Sequence, residues 1–600
     1  MKKFQLIKNF GGYKAKKDKT KLSAKYLVDG SQNVISTDGD NIAVRNGYTL
    51  DGAADTTLEP IESAFTWLTH SGLEIPLRGR TDGTDDGVIS YRYSGTWYEL
   101  ETGYDSGDFD FTTYWDTTEK QDALLFVVGD ANIYYWSGGL TTFASATSNT
   151  ITKQGTTSWA EERFLSAGTR QVEIEGTTYT YTGGESTTAL TGVTPDPTTA
   201  GHTVGAVVHQ IVRIQTNTPA ADYDNDIISI LKNQVYVADE QRRDVYISKV
   251  GDYTSFTAPT VPRIVGEAGL LTLDETPTAM VAQEEDMYIS TKNQWYKTNF
   301  TLSDALTTES LTIKLLKTSP LQGAVNKRAV FKAKNDVLFI SNESILESLG
   351  RVENISTPES VDLSDSIKTK MESLTLTNCT GTYYKNNLYF AFPVDSTVMI
   401  FNIEKGFWEA PQILPVRVFS IFGENLYGHS NGVNETYQLF VEDEYSDNDN
   451  PIDARAVFAY RNYGDRAWKK NFNEWYTEGY ITTNTILKVN HNYEFDGYKT
   501  KKEYNIDGSD TEGDIILNTG KDISLGKNSL GKEPLGSTTS TINDLKKFRI
   551  INKIVKEDFY EHQVSYSSND VDQRWEILAF GGNVLNSTNN NSRIIKNNSQ

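Results

Sequence analysis

The chain reads as a mainly β protein: a β-propeller of six or seven irregular blades, with a small β module inserted in it and a C-terminal β-sandwich or jelly roll. Three observations predict this. First, a polar turn followed by an alternating strand that ends in an aromatic keeps returning. It occurs as Gly-Asp-Ala-Asn-Ile-Tyr-Tyr-Trp (129–136), Lys-Asn-Gln-Val-Tyr-Val (232–237), Glu-Asp-Met-Tyr-Ile (285–289), Lys-Asn-Asp-Val-Leu-Phe-Ile (334–340), Lys-Asn-Asn-Leu-Tyr-Phe (385–390) and Gly-Glu-Asn-Leu-Tyr-Gly (423–428). From Tyr236 onward the spacing is roughly 40–50 residues, the period of four-stranded propeller blades. Second, aromatics are 11% of the 600 residues, with 33 Tyr and 10 Trp, in a background of the residues that fill strands and tight turns. Third, long helical periodicity is nearly absent.

The elements follow in order. Residues 1–55 form an irregular leader in which Lys14, Lys16, Lys17, Lys19 and Lys21 make a basic cluster. In an acidic protein this suits an arm that docks on an acidic neighbour, the alternative being a solvated tail. Residues 56–149 carry the first blades: Val88–Tyr93 and Gly95–Tyr98 read as a hairpin across a short polar break, and Leu124–Val128 with Ile133–Trp136 as another. Residues 150–215 break the series with short strands between glycine turns. Because the propeller phrase resumes beyond them, they read as a module inserted in a loop. Residues 216–451 hold the remaining blades. Val361, Leu363, Ile367, Met371 and Leu374 predict one short helix there, and the acidic stretch 442–451 predicts an exposed linker. Residues 452–600 restart with new strands and predict the sandwich. Within them 524–536 is a low-complexity glycine loop, and 583–600 is an Asn- and Ser-rich tail.

The net charge of −23 argues against a protein that grips nucleic acid by neutralising phosphates, although an acidic wall past which DNA slides benefits from not adhering. A single cysteine, Cys379, excludes an intramolecular disulfide framework and a clustered thiolate metal site. The basic opening is not followed by an apolar run of signal-peptide length, and no stretch approaches the ~20 apolar residues of a membrane span, so a soluble protein made in a cytoplasm is expected.

Catalytic patterns are missing. The six histidines (His70, His202, His209, His429, His491, His562) show no metal-binding spacing. There is no nucleophile elbow and no Walker loop, and the glycines of 526–536 lack the strand-to-helix setting a phosphate loop needs. Carboxylates are abundant enough that chance pairs are inevitable, so paired acids for glycoside hydrolysis carry little weight. Residues 222–226 and 443–450 could offer hard oxygen ligands, yet neither follows a calcium-loop template and solvated loops are favoured. No catalytic, cofactor or metal residue is assigned, and no cofactor is expected.

Several motifs point to a family. Phe10-Gly11-Gly12-Tyr13, then Asp29-Gly30-Ser31-Gln32-Asn33-Val34, then Val44-Arg45-Asn46-Gly47-Tyr48 resemble the opening of bacteriophage tail nozzle (tubular protein B) proteins and of the packaged-DNA-stabilisation proteins of short-tailed phages. The insert, with Gly168, Gly176, Tyr179 to Tyr181 and Thr191 to Val193, resembles small β modules of such tail proteins. The Leu-Gly repeats at 525–536 and Arg574-Trp575 to Gly581 resemble their C-terminal segments. The resemblance implies a propeller with appended β modules, assembled as a hexameric ring at the distal end of the tail, that retains packaged DNA and conducts it during ejection. It implies a virion protein, assembled in the host bacterial cytoplasm, whose partners are its own copies, tail adaptor, tube and fibre proteins, and passing DNA. The basic residues Lys14, Lys16, Lys17, Lys19 and Lys21 would then serve assembly, with Arg45, Asn46 and Gly47 forming the turn that anchors the arm. Two other readings use the same fold: a tail-tip adhesin that recognises host glycans, and a propeller glycosidase or depolymerase.

Overall fold

Except at 129–136, where it leads from the second to the third strand of its blade, the recurring phrase is the first hairpin of a propeller blade. The computed structural model describes residues 3–15, 22–37, 40–55, 57–84, 86–168, 170–215, 219, 223–257, 263–302, 308–316, 322–334, 336–349, 363–463, 470–495, 498–510, 516–518, 546–552 and 556–586. In blades 3, 6 and 7 the hairpin turns are Lys232-Asn233, Lys385-Asn386 and Gly423-Glu424, and all six residues have φ between +44° and +62°. Two-residue turns with both φ values positive match the right-handed twist of the strands they join, which is why Asn and Gly recur in the phrase. The strand after the turn is the second of its blade. Gln234–Ala238 is buried at every position and Asn387–Phe392 at every position after the first, since both faces pack against neighbouring blades.

Among the described residues seven such sheets form the ring. Blade 1 is Ile61–Leu68, Glu74–Thr81, Gly87–Tyr93 and Thr96–Tyr104. Blade 2 begins with Asp110–Asp116, Gln121–Val127 and Ile133–Trp136, and blade 3 is Ile227–Leu231, Gln234–Ala238, Asp244–Ile247 and Gly269–Thr272. Blades 4, 5 and 6 open with Pro277–Gln283, Val330–Ala333 and Thr380–Tyr384. Blade 7 is Val416–Phe422, Asn425–Ser430 and Thr436–Gln438, and its outer strand is Thr49–Leu50 from the leader. Each blade's first strand packs beside that of the next, and Val416–Phe422 returns against Ile61–Leu68 to close the circle. The protein is therefore a seven-bladed β-propeller, with residues 49–50 acting as the closing strand.

The inserted module is spliced between the third and fourth strands of blade 2. Its six strands run from Leu140–Thr147 to Val207–Gln210, and Arg213–Gln215 then pairs with Ile133–Trp136 as the fourth strand of the blade. Its bounds thus differ from 150–215 at both ends: residues 140–149 belong to the module and 213–215 to the propeller. It has a core of its own, including Trp159, Phe164, Val172, Tyr179 and Val208. Arg163 fastens it to the propeller. Its guanidinium lies 4.8 Å from the Trp67 ring, donates to Ser137 O at 2.8 Å and to the Asp122 backbone carbonyl, and pairs with Asp122 Oδ1 at 3.1 Å. Trp67 Nε1 donates to the second oxygen of the same carboxylate at 3.0 Å. Arg163→Ala strips a buried carboxylate of its cation, which costs about 3–5 kcal/mol. The expected result is protease sensitivity at 137–170 under conditions where the rest of the chain resists, and unchanged cleavage would remove the anchoring role.

The sandwich is built from both ends of the sequence. One sheet contains Lys470–Ile481, Lys546–Asn552 and Trp575–Asn586, joined by Lys3–Ile7, Val34–Ser36 and Ile42–Val44 from the leader. The other is Ala454–Val457, Glu561–Ser568, Ile486–Phe495 and Tyr498–Asp507. One hydrophobic core runs from Trp475, Tyr566 and Phe580 of the sandwich through Phe10, Tyr13 and Leu27 of the leader to Phe390 and Trp408 of blade 6.

Three expectations are corrected here. The described part of residues 1–55 is not a free arm, because its apolar residues complete this chain's own core. The stretch 442–451 is exposed at 442–443 and 448–451 but is not a free linker: Tyr445 and Ser446 are buried, and Ser446–Asp447 pairs with Asn450–Pro451. The C-terminal strand runs to Asn586, past the expected start of the tail at 583, because Asn583 pairs with both Phe4 and Glu474. The short helix is a 3₁₀ turn, Asp365–Ile367, leading into the single turn Lys368–Met371, with Ile367, Met371 and Leu374 buried. Val361, the glycine loop 524–536 and residues 587–600 lie outside the described residues.

Candidate functional site

The leader motifs meet at the junction between sandwich and propeller. Gly12 has φ +76°, and a Cβ there would stand 2.3 Å from the Phe407 ring, so the chain passes tightly over blade 6. Tyr13 Oη donates to Asp29 Oδ1 at 2.8 Å. Gln32 Nε2 donates to Asp453 Oδ2 at 2.9 Å, and Asn33 bridges both bodies, donating to Asp453 O at 3.0 Å and accepting from Ile413 N at 2.8 Å. Arg45 is 0% exposed and forks onto Asp447, Nη1 to Oδ1 at 2.7 Å and Nη2 to Oδ2 at 2.6 Å. It also donates to Asn46 O at 3.0 Å and Ile413 O at 3.3 Å. Gly47 lies so close to Ser446 that a Cβ would stand 1.8 Å from its carbonyl oxygen, while its N–H donates to Glu444 O at 2.7 Å. Of the basic cluster, Lys14 is half-buried with its ammonium 3.9 Å above the Tyr26 ring of this same chain. Lys16, Lys17, Lys19 and Lys21 lie outside the described residues. Arg45, Asn46 and Gly47 thus join at the 440s hairpin, whereas Lys14 packs on Tyr26.

A second cluster spans the propeller axis. The Asn326 side-chain oxygen accepts from Arg328 N and Ala329 N, both at 2.8 Å, and so caps the 3₁₀ turn Lys327–Ala329 at the start of blade 5. That turn presents Lys327 and Arg328 towards the starts of blades 2 and 3. Lys327 Nζ donates to Asp226 O at 3.0 Å and stands 3.5 Å from Asp108 Oδ1, which Arg328 also pairs with. Nearby, Arg417 of blade 7 pairs with Glu62 of blade 1 at 3.2 Å. Burial, then the neighbouring Arg417 charge, pulls the Arg328 proton affinity below the ordinary arginine value, and the guanidinium still keeps its proton at neutral pH. Contacts from blade 5 to blades 2 and 3 skip blade 4, so they cross the channel. Ion pairs at this spacing leave no passage for a nucleic-acid duplex along the propeller axis at that end.

The third feature is a cleft of about 320 Å³ on the seam between blade 1 and the inserted module, lined by Tyr91, Tyr98, Glu99, Glu173, Glu175 and His209, among others. Tyr91 and Tyr98 stack with centroids 5.7 Å apart, and Tyr91 Oη lies 3.3 Å from His209 Nδ1. His209 is buried and hydrogen-bonded to the Leu100 backbone, with Nε2 4.0 Å from Glu173 Oε2. Burial pushes the imidazole pKa down to about 4, so the ring is neutral at pH 7. Glu99 is held by Arg80 at 2.6 Å, and Glu175 accepts from Thr203 N at 3.2 Å and lies 3.1 Å from His202 Nδ1. Among the described residues neither Glu173 nor nearby Glu101 has a Lys or Arg partner. Burial raises both pKa values, with Glu99 adding to the effect at Glu173 and Glu173 at Glu101. Sequence alone could not single out these residues, since nothing local separates them from the rest of the chain's 80 acids and six histidines.

Among the described residues no group of three His, Cys, Asp or Glu side chains could hold a metal ion, and no helix is long and apolar enough to cross a membrane. Cys379 is buried, and burial pushes its thiol up to about 12.

No family model matches the chain, and no curated protein matches it in sequence. Similar solved structures include the AfRom2 CNH domain, at 8% identity over 66% of this chain and 99% of that one, with a TM-score of 0.34. Sqt1 of Saccharomyces cerevisiae is 9% identical over 68% of this chain and 99% of its own, with a TM-score of 0.33. The dihydro-heme d1 dehydrogenase NirN, solved in complex with DHE, is 8% identical over 69% and 66%, with a TM-score of 0.30. Likeness this low carries no functional argument, and the fold assignment rests on the seven sheets themselves.

Proposed function

We propose that the chain is a structural subunit of a bacteriophage tail, a nozzle or distal tail-tube component that forms a ring, retains packaged DNA and conducts it during ejection. The observation that carries this reading is the leader: the segments bearing the resemblance to tail nozzle proteins, 10–13, 29–34 and 44–48, are the ones that lock the sandwich to blades 6 and 7. A subunit of a conduit has to keep its bodies in register under load, and a forked Arg–carboxylate pair adds geometric specificity to such a junction. The net charge of −23 suits a wall that DNA slides past without displacing counterions. Because ion pairs bridge the propeller axis, the conduit of this reading is the lumen enclosed by several copies, not the channel of one propeller.

The partners that follow are further copies of this chain in a hexameric ring, tail adaptor, tube and fibre proteins, and DNA in transit. Lys16, Lys17, Lys19 and Lys21 remain the proposed contacts to an acidic neighbour. Imaging of intact particles tests the reading by locating the chain and counting its copies. A six-fold ring at the tail end supports it, whereas absence from particles, or three copies on a fibre, overturns it.

A further inference from the structure

We propose that a cleft over Trp115, on the propeller face that carries the insert, binds a neutral hexopyranose unit of a glycan. This binding is independent of the ring reading. The cleft lies where blades 1, 2 and 3 meet, at the ends of their first strands. It is therefore at the opposite end of the propeller from the ion pairs of Lys327 and Arg328. At about 450 Å³ it falls within the range of small-molecule sites.

Trp115 is the only exposed tryptophan among the described residues, with 40% of its surface free. Two neighbouring blades hold it there. From blade 3, Asn233 Oδ1 accepts from Trp115 N at 3.2 Å and Asn233 Nδ2 donates to Trp115 O at 3.1 Å. From blade 1, the His70 ring meets the indole in a T-shaped pair, centroids 5.6 Å apart and planes at 79°. Leu68, 66% exposed, extends the apolar surface beside it. An indole fixed in water gains the fold little, and its uncovered surface is what a ligand can bury.

The rest of the lining selects the class. A purely apolar guest would strand the polar groups that interrupt this surface: Thr113, His70 and the Asn233 amide. That amide keeps one N–H and one lone pair beyond its two bonds to Trp115. A charged guest would find the charges of the lining already matched. Asp122 is held by Arg163 and Trp67, and Lys232 stands 3.4 Å from Glu285. A pyranose ring meets both demands, because its C–H face lies on an aromatic plane while its hydroxyls bond neutral donors and acceptors at the rim.

The test is an array of neutral hexose, uronate and amino-sugar oligosaccharides probed with the full chain, then titration with the free oligosaccharide of the strongest neutral spot and with 1-hexanol. Retention is expected on neutral hexose spots, with a shift of tryptophan emission to shorter wavelength that Trp115→Phe abolishes. Trp115→Ala is expected to weaken binding by about tenfold or more. Its unfolding midpoint should be unchanged, since Asn233 grips the backbone and not the indole. No retention on any neutral spot, stronger retention on charged ones, tighter binding of 1-hexanol, or undiminished binding by Trp115→Ala would each overturn the proposal.

Discussion

Arg45→Ala is expected to lower stability by about 3–5 kcal/mol and to release the leader from the propeller. The substitution leaves Asp447 largely buried, with 14% of its side chain exposed, and without its bidentate partner. It also removes the donors to Asn46 O and Ile413 O. Because Thr49–Leu50, the outer strand of blade 7, begins only four residues later, the loss should spread to the closure of the ring. Arg45→Lys keeps the charge but not the fork, so it should restore only part of the stability. A chain of this size need not unfold in one step, so the measurement is differential scanning calorimetry combined with limited proteolysis. The expected signature is a lower first transition and new cleavage within 30–50. An Arg45→Ala protein that matches the parent in both would show that the junction does not depend on the fork to Asp447.

The second large effect is the pH response of the sandwich. His491 and His562 are buried side by side, Nδ1 to Nε2 at 2.8 Å, with Tyr463 Oη 2.9 Å from the far nitrogen of His562. Burial lowers the His491 pKa to about 3, helped by Lys502. Burial also takes His562 well below its ordinary value, helped by His491 and Arg461. Folded pKa values below the unfolded ~6.5 mean that the stability is fully present above pH ~6.5 and is lost as pH falls towards the folded values. At pH 5 each such histidine costs about 2 kcal/mol. His429, lowered to about 3 by burial and then Arg78, adds the same sense in blade 7. Glu409 works in the other direction, since burial raises it to about 7 and acidification relieves it. The comparison is therefore between slopes. The fall in stability from pH 7 to pH 5 should shrink by a few kcal/mol in His491→Gln/His562→Gln, whatever that protein's stability at pH 7. An unchanged slope would mean that these histidines take up no proton on unfolding.

Local chemistry made much of the propeller legible. A hairpin turn with two positive φ values needs Asn, Gly or a tolerant polar residue, and a second strand covered on both faces needs an unbroken apolar run, so blades 3 to 7 announce themselves. Blade 1 shows only its outer hairpin at 88–98, because its second strand Glu74–Thr81 carries Pro76, Arg78 and Arg80, which the surroundings accommodate by pairing Arg80 with Glu59 and Glu99 and by stacking Arg78 on Trp97. The helical offsets around Met371 were legible for the same local reason, and the start of the insert was not, since Leu140–Thr147 has the pattern of any blade strand.

By itself the sequence determined the fold class, the presence of an insert, the seven-fold repetition to within one blade and the absence of catalytic motifs. Each of these is written in residues that lie within a few tens of positions of each other. Tertiary structure alone decided where the two ends of the chain go. Strand pairing between Phe4 and Asn583, the fork from Arg45 to Asp447 and the closing of blade 7 by Thr49–Leu50 join residues hundreds of positions apart. A backbone ladder uses the same N–H and C=O groups whatever the side chains, so such pairings leave almost no trace in composition or periodicity. The seam cleft is hidden for the same reason, because Glu99 and Glu173 become neighbours only once the insert has docked on blade 1.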